Sequence, residues 1–235
     1  MPRIEWNEKS MKYSMCFFPF VGIVIGLLSV FCMWLMNKLG FGSIAIAVIL
    51  TVLPIIINGG IHMDGFLDTI DALSSWKTKE ERLNILKDPH MGAFACIYGI
   101  VYILIAFGLF GEVTAKEIIY TAFGYVYSRI LSGISVVTFK KAKRNGMLAA
   151  TADAAYKNVK WILIGELILL AVFMLYYNLL MGVACLAVGA LIFIYYRFMS
   201  YRYFGGITGD LAGFFLQICE LAILFAVVIV AKIIA

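Results

Sequence analysis

Charge is scarce in this sequence. Only 14% of its 235 residues are Asp, Glu, Lys or Arg, against 63% apolar ones. An ordinary soluble globule carries about a quarter charged residues, so that class is excluded. Histidine is scarcer still: His62 and His90 are the only two, and neither has metal-ligand spacing to another histidine, which argues against a zinc site. The five cysteines, Cys16, Cys32, Cys96, Cys185 and Cys219, lie in or beside apolar runs without CxxC spacing, and they read as small core residues rather than metal or redox groups. No removable signal peptide is expected either. The first fifteen residues hold Arg3, Glu5, Glu8, Lys9 and Lys12 and no small-residue cleavage site, so the first span is expected to be retained.

What is present is a series of apolar runs. Seven spans are expected, at about 16–36, 41–57, 92–110, 118–139, 161–177, 179–196 and 211–234, each near the length a helix needs to cross a bilayer. They leave no room for a separate soluble domain. The fold class is therefore all-α: one integral-membrane domain, residues 1–235, built as a polytopic helical bundle with an added interfacial helix. The basic residues alternate between the connecting segments. Fifteen fall on one side of the spans, three on the other, and Arg129 lies inside a span. By the positive-inside rule the N-terminus is expected to face the cytoplasm and the C-terminus to lie outside. The net charge of +5 thus serves topology and implies no nucleic-acid partner. The polar segments 58–91, 140–160 and 197–210 all fall on the cytoplasmic side.

The first of these segments holds six of the 14 acidic residues. Pro54 should kink or end the second span, and Gly59 and Gly60 free the backbone to turn. Asp64, Asp68 and Asp71 follow at i, i+4 and i+7, so on a helix they share one face. Three like charges stacked in this way repel, and a bound cation would compensate them. Oxygen-only ligands favour a hard metal, Mg2+ before Zn2+; the alternative is a merely solvated acidic face. Farther on, Lys79–Lys87 reads as an amphipathic interfacial helix, closed off by Pro89 and Gly92.

Other polar residues occur where a membrane makes them costly. Arg129 sits near the middle of the fourth span; it either locks two helices by an ion pair or binds phosphate through its planar fork. In GGITGDLAGFFLQICE, Gly205 and Gly206 permit a turn, Asp210 opens the last span, and Gln217 and Glu220 are carried inward. Asp210 reads as a metal ligand or an N-cap, and buried Glu220 as a functional carboxylate. Lys143 and Arg144, in the basic loop, face the same compartment as the carboxylates and could meet a phosphate-bearing substrate, or could only enforce topology. His62 reads as a hydrogen-bonding or acid/base group beside Asp64.

Taken in order, FFPFVG at 17–22, GGxHxDGxxDTxD at 59–71, KDxxxG at 87–92, Ser128-Arg129, the basic loop and GGxTGDxxG at 205–213 resemble the cobalamin synthase family, the adenosylcobinamide-GDP ribazoletransferases. The resemblance implies a Mg2+-dependent membrane enzyme. In such an enzyme alpha-ribazole or its 5'-phosphate attacks the cobinamide-side phosphorus of adenosylcobinamide-GDP and releases GMP. It further implies Asp64, Asp68, Asp71, Asp210 and Glu220 as metal ligands, and His62, Asp71 and Arg129 as catalytic groups. Asn58, Gly59, Gly60, Asp88, Lys143, Arg144, Thr208 and Gln217 would contact substrate. This sequence departs from the family pattern at Ala72 (glycine in the pattern), Asn84 (glutamate), His90 and Lys143 (arginine), and Gln217 (glutamate); the last removes a candidate ligand of a second metal. A homo-oligomer is compatible with the sequence. Two other readings are a cation-coupled transporter using the same buried carboxylates and a CDP-alcohol phosphotransferase, which would want DGxxAR where this chain has Asp68 after DGFL.

The topology is testable directly. A reporter that works only in the cytoplasm, fused after Ala235, is expected to stay silent, and a signal from it would overturn the assignment.

Overall fold

A computed structural model describes residues 12–143 and 146–234, and Arg144 therefore lies outside the described residues. These residues form ten helices: α1 Ser14–Lys38, α2 Ser43–Ile57, α3 Ile61–Ser74, α4 Lys79–Ile85, α5 Ala93–Glu112, α6 Ile118–Thr138, α7 Met147–Ala154, α8 Val159–Tyr177, α9 Leu179–Tyr203 and α10 Gly209–Ile234. No strand occurs among the described residues. The only sheet-like pairing among the described residues is a single parallel bridge between Lys141 and Ile207.

All seven expected spans coincide with a helix, but their standing as spans differs. Five, α1, α5, α8, α9 and α10, are long and apolar enough to cross a membrane, and a sixth is counted only if α2 and α3 form one broken span. Helices α2 and α6 fall short of that measure for different reasons. The 15 residues of α2 reach only about 22 Å at 1.5 Å per residue, short of a hydrocarbon core of about 30 Å. Helix α6 has the length but not the apolarity. Tyr, Thr and Ser alternate with its apolar residues, and Arg129 lies in its middle. Its neighbours solve that problem: α6 packs against α1, α8, α9 and α10, so its polar groups meet protein instead of lipid.

Close packing in a bilayer depends on small side chains, because lipid tails already satisfy apolar ones. The most extensive helix pairing, α1 with α6, crosses at Gly22 and Gly26. A methyl group on Gly22 would lie 2.5 Å from the Tyr125 carbonyl oxygen and 2.8 Å from Val126 Cα. Helix α10 is the most enclosed of the five helices long and apolar enough to cross a membrane, with Phe215, Cys219, Leu211 and Val227 fully buried. Around it the main core collects Phe66, Tyr127, Tyr196, Phe214 and Ile223.

The helix ends fall into two groups. At one end Glu112 pairs with Lys232 at 2.5 Å. The other end gathers the polar segments. Here the chain leaves α2 through Asn58 and two residues in the left-handed region, Gly59 (φ 61°) and Gly60 (φ 77°), a conformation nearly reserved for glycine. Helix α3 then departs at 90° to α2. It meets the N-terminal ends of α5 and α10, and so forms a crosspiece over this end of the bundle rather than a span. Helix α4 opens with a capping box between Thr78 and Glu81, which satisfies two orphan helix donors. It ends at Ile85, two residues before the expected Lys87, because Pro89 prevents its continuation and Asp88 turns back on His90.

Gly22→Ala tests the crossing of α1 and α6. The added methyl group must push two backbones apart, at a cost of about 1–3 kcal/mol, and a lower melting temperature in detergent is the expected result.

Candidate active site

The crosspiece α3 touches α10 almost backbone to backbone. A methyl group on Gly65 would come 2.7 Å from the Asp210 carbonyl oxygen, and one on Gly213 would come 3.1 Å from the His62 carbonyl oxygen. Phe66 extends inward from this crossing and stacks on Phe214, with ring centroids 5.8 Å apart. The two glycine-rich motifs, about 140 residues apart in sequence, thereby become one place. Asp64 and Asp210 line a shared cavity of about 550 Å³ with His62, Lys87, Ser132, Lys143 and Thr208.

The basic loop reaches the site through a short backbone clasp. Ile207 N–H donates to the Lys140 carbonyl at 2.8 Å and Ala142 N–H to the Ile207 carbonyl at 2.9 Å. Lys143 follows and lines the cavity with Lys87. Burial lowers the pKa of Lys143, and the neighbouring charge of Lys87 lowers it further, while Asp210 opposes both. Two cations thus face two carboxylates across one cavity. Lys87 was missed by sequence reasoning, which counted it toward topology; its place directly before Asp88 in the KDxxxG turn is the signal that could have found it.

The acidic face divides. Asp68 lies one turn beyond Asp64, and its pKa is pushed up to about 6 by burial first, then by the charges of Asp64, Asp210 and Asp71. Asp71 belongs to a different structure. Its carboxylate accepts from Gly92 N–H at 2.5 Å and from Ala95 N–H at 2.9 Å, capping α5. Both oxygens of Asp71 thus serve as a helix cap away from the cavity lining: the 90° bend that aims α3 at α10 also lays its far end on α5.

The expectation for the inner polar residues is corrected. Arg129 is fully buried and lies outside the cavity lining. It donates to Glu220 at 2.5 Å, to the Tyr125 carbonyl at 2.9 Å and to Ser128 Oγ at 2.9 Å, and Ser128 Oγ also donates to Glu220. This is the helix-locking pair, and it engages Glu220 with Arg129 instead of with the other carboxylates. Gln217 lies beside Glu220 on a separate internal cavity of about 20 Å³, room for a water but not for a substrate. Seven residues along a helix is about 10 Å, and that depth separates Gln217 from Asp210 although they share a face.

The remaining candidates hold the frame. Asn58 donates to the Pro54 carbonyl at 2.8 Å and secures the turn that Gly59 and Gly60 make. Thr208 Oγ1 accepts from Leu211 N–H at 3.2 Å, capping α10 beside Asp210. Asp88 is exposed and accepts from the backbone and ring of His90. His62 packs edge-on against Phe18, and its Nδ1 is buried without a hydrogen-bond partner. Burial, and secondarily the charge of Arg129, lowers its pKa to about 3, so its ring is neutral throughout the physiological range.

Among the described residues no three His, Cys, Asp or Glu groups are grouped to hold a metal ion unaided. Mg2+ does not ask for that: it binds through one or two carboxylates and completes its shell with water and substrate phosphate. Asp64 and Asp210, with Asp68 behind them, fit such a donor set.

Fold and site together define a class, a polytopic membrane bundle whose crossed helix ends hold a carboxylate and lysine pocket suited to a phosphorylated substrate. The profile of the Cobalamin-5-phosphate synthase family matches residues 1–228, and the chain belongs to that family. It is 47% identical over 230 residues to the adenosylcobinamide-GDP ribazoletransferase of Lachnoclostridium phytofermentans, covering 97% of this chain and 88% of that protein. Proteins of the same name from Clostridium perfringens (strain ATCC 13124) and Clostridium botulinum (strain Alaska E43) are 32% and 33% identical, over 94% and 96% of this chain and 88% and 90% of theirs. No solved structure matches.

The raised pKa of Asp68 has a definite sign. Between its ordinary value of 3.8 and about 6 the folded chain keeps a proton that the unfolded chain has released, so stability falls as pH rises through that window. In metal-free detergent solution Asp68→Asn is expected to flatten this decline and to melt higher than the parent at pH 7; an unchanged pH profile of melting would contradict the placement of Asp68 among the other carboxylates.

Proposed function

We propose that this chain transfers the adenosylcobinamide-phosphate moiety of adenosylcobinamide-GDP to alpha-ribazole or its 5'-phosphate, releasing GMP, at the cytoplasmic face of the cell membrane. The observation that carries this reading is the family match along nearly the whole chain, supported by relatives of that name. Nothing in the site favours a transporter or a CDP-alcohol phosphotransferase. The cytoplasmic placement rests on the asymmetry of basic residues.

In the reaction a ribazole hydroxyl forms a bond to the cobinamide-side phosphorus, the bond from that phosphorus to the bridging oxygen of the diphosphate breaks, and GMP leaves with the electron pair. The hydroxyl proton is released. Phosphoryl transfer of this kind needs positioning and charge neutralisation more than covalent help. Asp64 and Asp210, seconded by Asp68, would hold Mg2+, which when bound supplies charge neutralisation on the diphosphate oxygens. Lys87 and Lys143 face the same diphosphate from the opposite wall and counter the charge developing on the departing GMP. His62, with its low proton affinity, orients a substrate hydroxyl instead of storing its proton. Arg129 touches none of the cavity; it holds α6 to α10 through Glu220 and biases His62 toward its neutral form.

Purified protein supplied with adenosylcobinamide-GDP, alpha-ribazole and Mg2+ is expected to release GMP, and to stop when a chelator removes the cation. Absence of GMP under these conditions would refute the reading. Asp64→Asn is expected to cut turnover roughly a hundredfold or more while leaving the fold intact. Asp71→Ala behaves differently: losing the cap on α5 costs about 0.5–2 kcal/mol, read as a lower melting temperature.

A further inference from the structure

Away from the site, the last turns of α9 and the start of α4 enclose an open groove of about 560 Å³ lined by Lys79, Ile194, Arg197, Phe198, Tyr201 and Arg202. It contains three cations and no acid. None of the three has a carboxylate within 4.0 Å among the described residues, where the ion pairs are His90–Asp88, Arg129–Glu220, Lys141–Asp153 and Lys232–Glu112. Aromatic rings position both arginines. The Arg197 guanidinium lies 5.4 Å from the Phe139 centroid and 5.6 Å from that of Tyr201, and Arg202 lies 5.9 Å from that of Tyr203. Ring contacts hold a guanidinium by its face and leave its edge donors free.

The order of residues along the helix is informative. Ile194, Arg197, Phe198, Tyr201 and Arg202 fall at i, i+3, i+4, i+7 and i+8, one stripe on one face. Ile194, 65% exposed, lies nearest the middle of α9, Arg197 and Phe198 (61% exposed) stand side by side one turn on, and Arg202 stands one residue from the end of the helix. The stripe thus sets exposed apolar side chains beside cations that have no carboxylate partner among the described residues, with Ile194 at its inner end and Arg202 at its outer end, and Lys79 of α4 adds the third cation.

We propose that this groove binds a phospholipid of anionic headgroup from the surrounding leaflet. The headgroup phosphate would lie among Lys79, Arg197 and Arg202, and the acyl chains would run along Ile194 and Phe198. A soluble phosphate could use the three cations but not the apolar half of the stripe, and the 560 Å³ of the groove suits a headgroup with the first part of its chains. The site is separate from the carboxylate cavity, and the proposal stands whatever reaction that cavity performs.

The test uses the full chain in phosphatidylcholine nanodiscs containing phosphatidylglycerol, with the retained lipid counted by mass spectrometry after gentle delipidation. The parent protein is expected to retain phosphatidylglycerol in preference to phosphatidylcholine. Each cation contributes about fivefold near a membrane surface, so Arg197→Gln with Arg202→Gln is expected to lower that retention by more than about tenfold. Should the double variant melt early, Lys79→Gln decides, with a loss of about fivefold at unchanged melting temperature. Millimolar glycerol phosphate, the headgroup chemistry without the chains, is expected not to displace the lipid. Equal retention of the two lipids, parent-like retention by the variants, or displacement by glycerol phosphate would each overturn the proposal.

Discussion

The near contact of two backbones at Gly65 and Asp210 is the constraint on which the rest of this protein depends. It places carboxylates from distant parts of the chain side by side at the edge of a low-dielectric bundle, where their mutual repulsion is large. The raised pKa of Asp68 reflects burial first and that repulsion second. Such an arrangement persists only if the helices carrying it cannot relax apart, and the fold supplies the restraint: Phe66 stacked on Phe214 beneath the crossing, the Asp71 cap tying the far end of α3 to α5, and the Asn58 bond fixing the turn into α3. Each of these contacts involves a residue of the same acidic segment or its entry. That segment is folded as much by its framing residues as by its functional ones.

The buried Arg129–Glu220 pair is a second restraint, at a different depth. Removing two charges from water costs several kcal/mol per ion, and a buried pair is seldom a net source of stability. Removing one partner is another matter, since about 3–5 kcal/mol is typically lost when a charge is left buried alone. The pair therefore acts as a registration device between α6 and α10, reinforced by Ser128 and the Tyr125 carbonyl. Its effect reaches the site electrostatically, because the Arg129 charge helps to hold His62 neutral. Helix α6 can carry such polar content because α1 crosses it closely at Gly22 and the other helices enclose it.

Much of this was legible in the sequence. Apolar runs located the ends of the long helices to within two residues, because burial in lipid demands that composition whatever the neighbours are, except that α9 runs on seven residues past the expected 196 to Tyr203, where its composition has turned polar and aromatic. Glycine pairs before His62 and Thr208 marked the turns, because φ values such as 77° at Gly60 leave little other choice. The basic-residue count puts Asp64 and Asp210 on the same expected side of the membrane, and the crossing at Gly65 is what brings them to one cavity. Lys87 stayed hidden because its partner Lys143 is 56 positions away and only the clasp at Ile207 brings them to one cavity.

What the sequence determined by itself was therefore the class of environment: a membrane bundle, its polar end, and the local turns. Those follow from transfer free energies and backbone sterics, which act on each residue nearly independently of the fold. Only the tertiary structure decided how the polar residues divide. Asp64, Asp68 and Asp71 share a helical face, yet the 90° departure of α3 sends the first two toward α10 and gives the third to the backbone of α5. Asp210 and Glu220 share a helix, yet roughly 15 Å of rise leaves one in an open cavity and the other locked to Arg129. Helical periodicity gives the direction of a side chain and says nothing of what it meets, because a partner is fixed by where other helices cross.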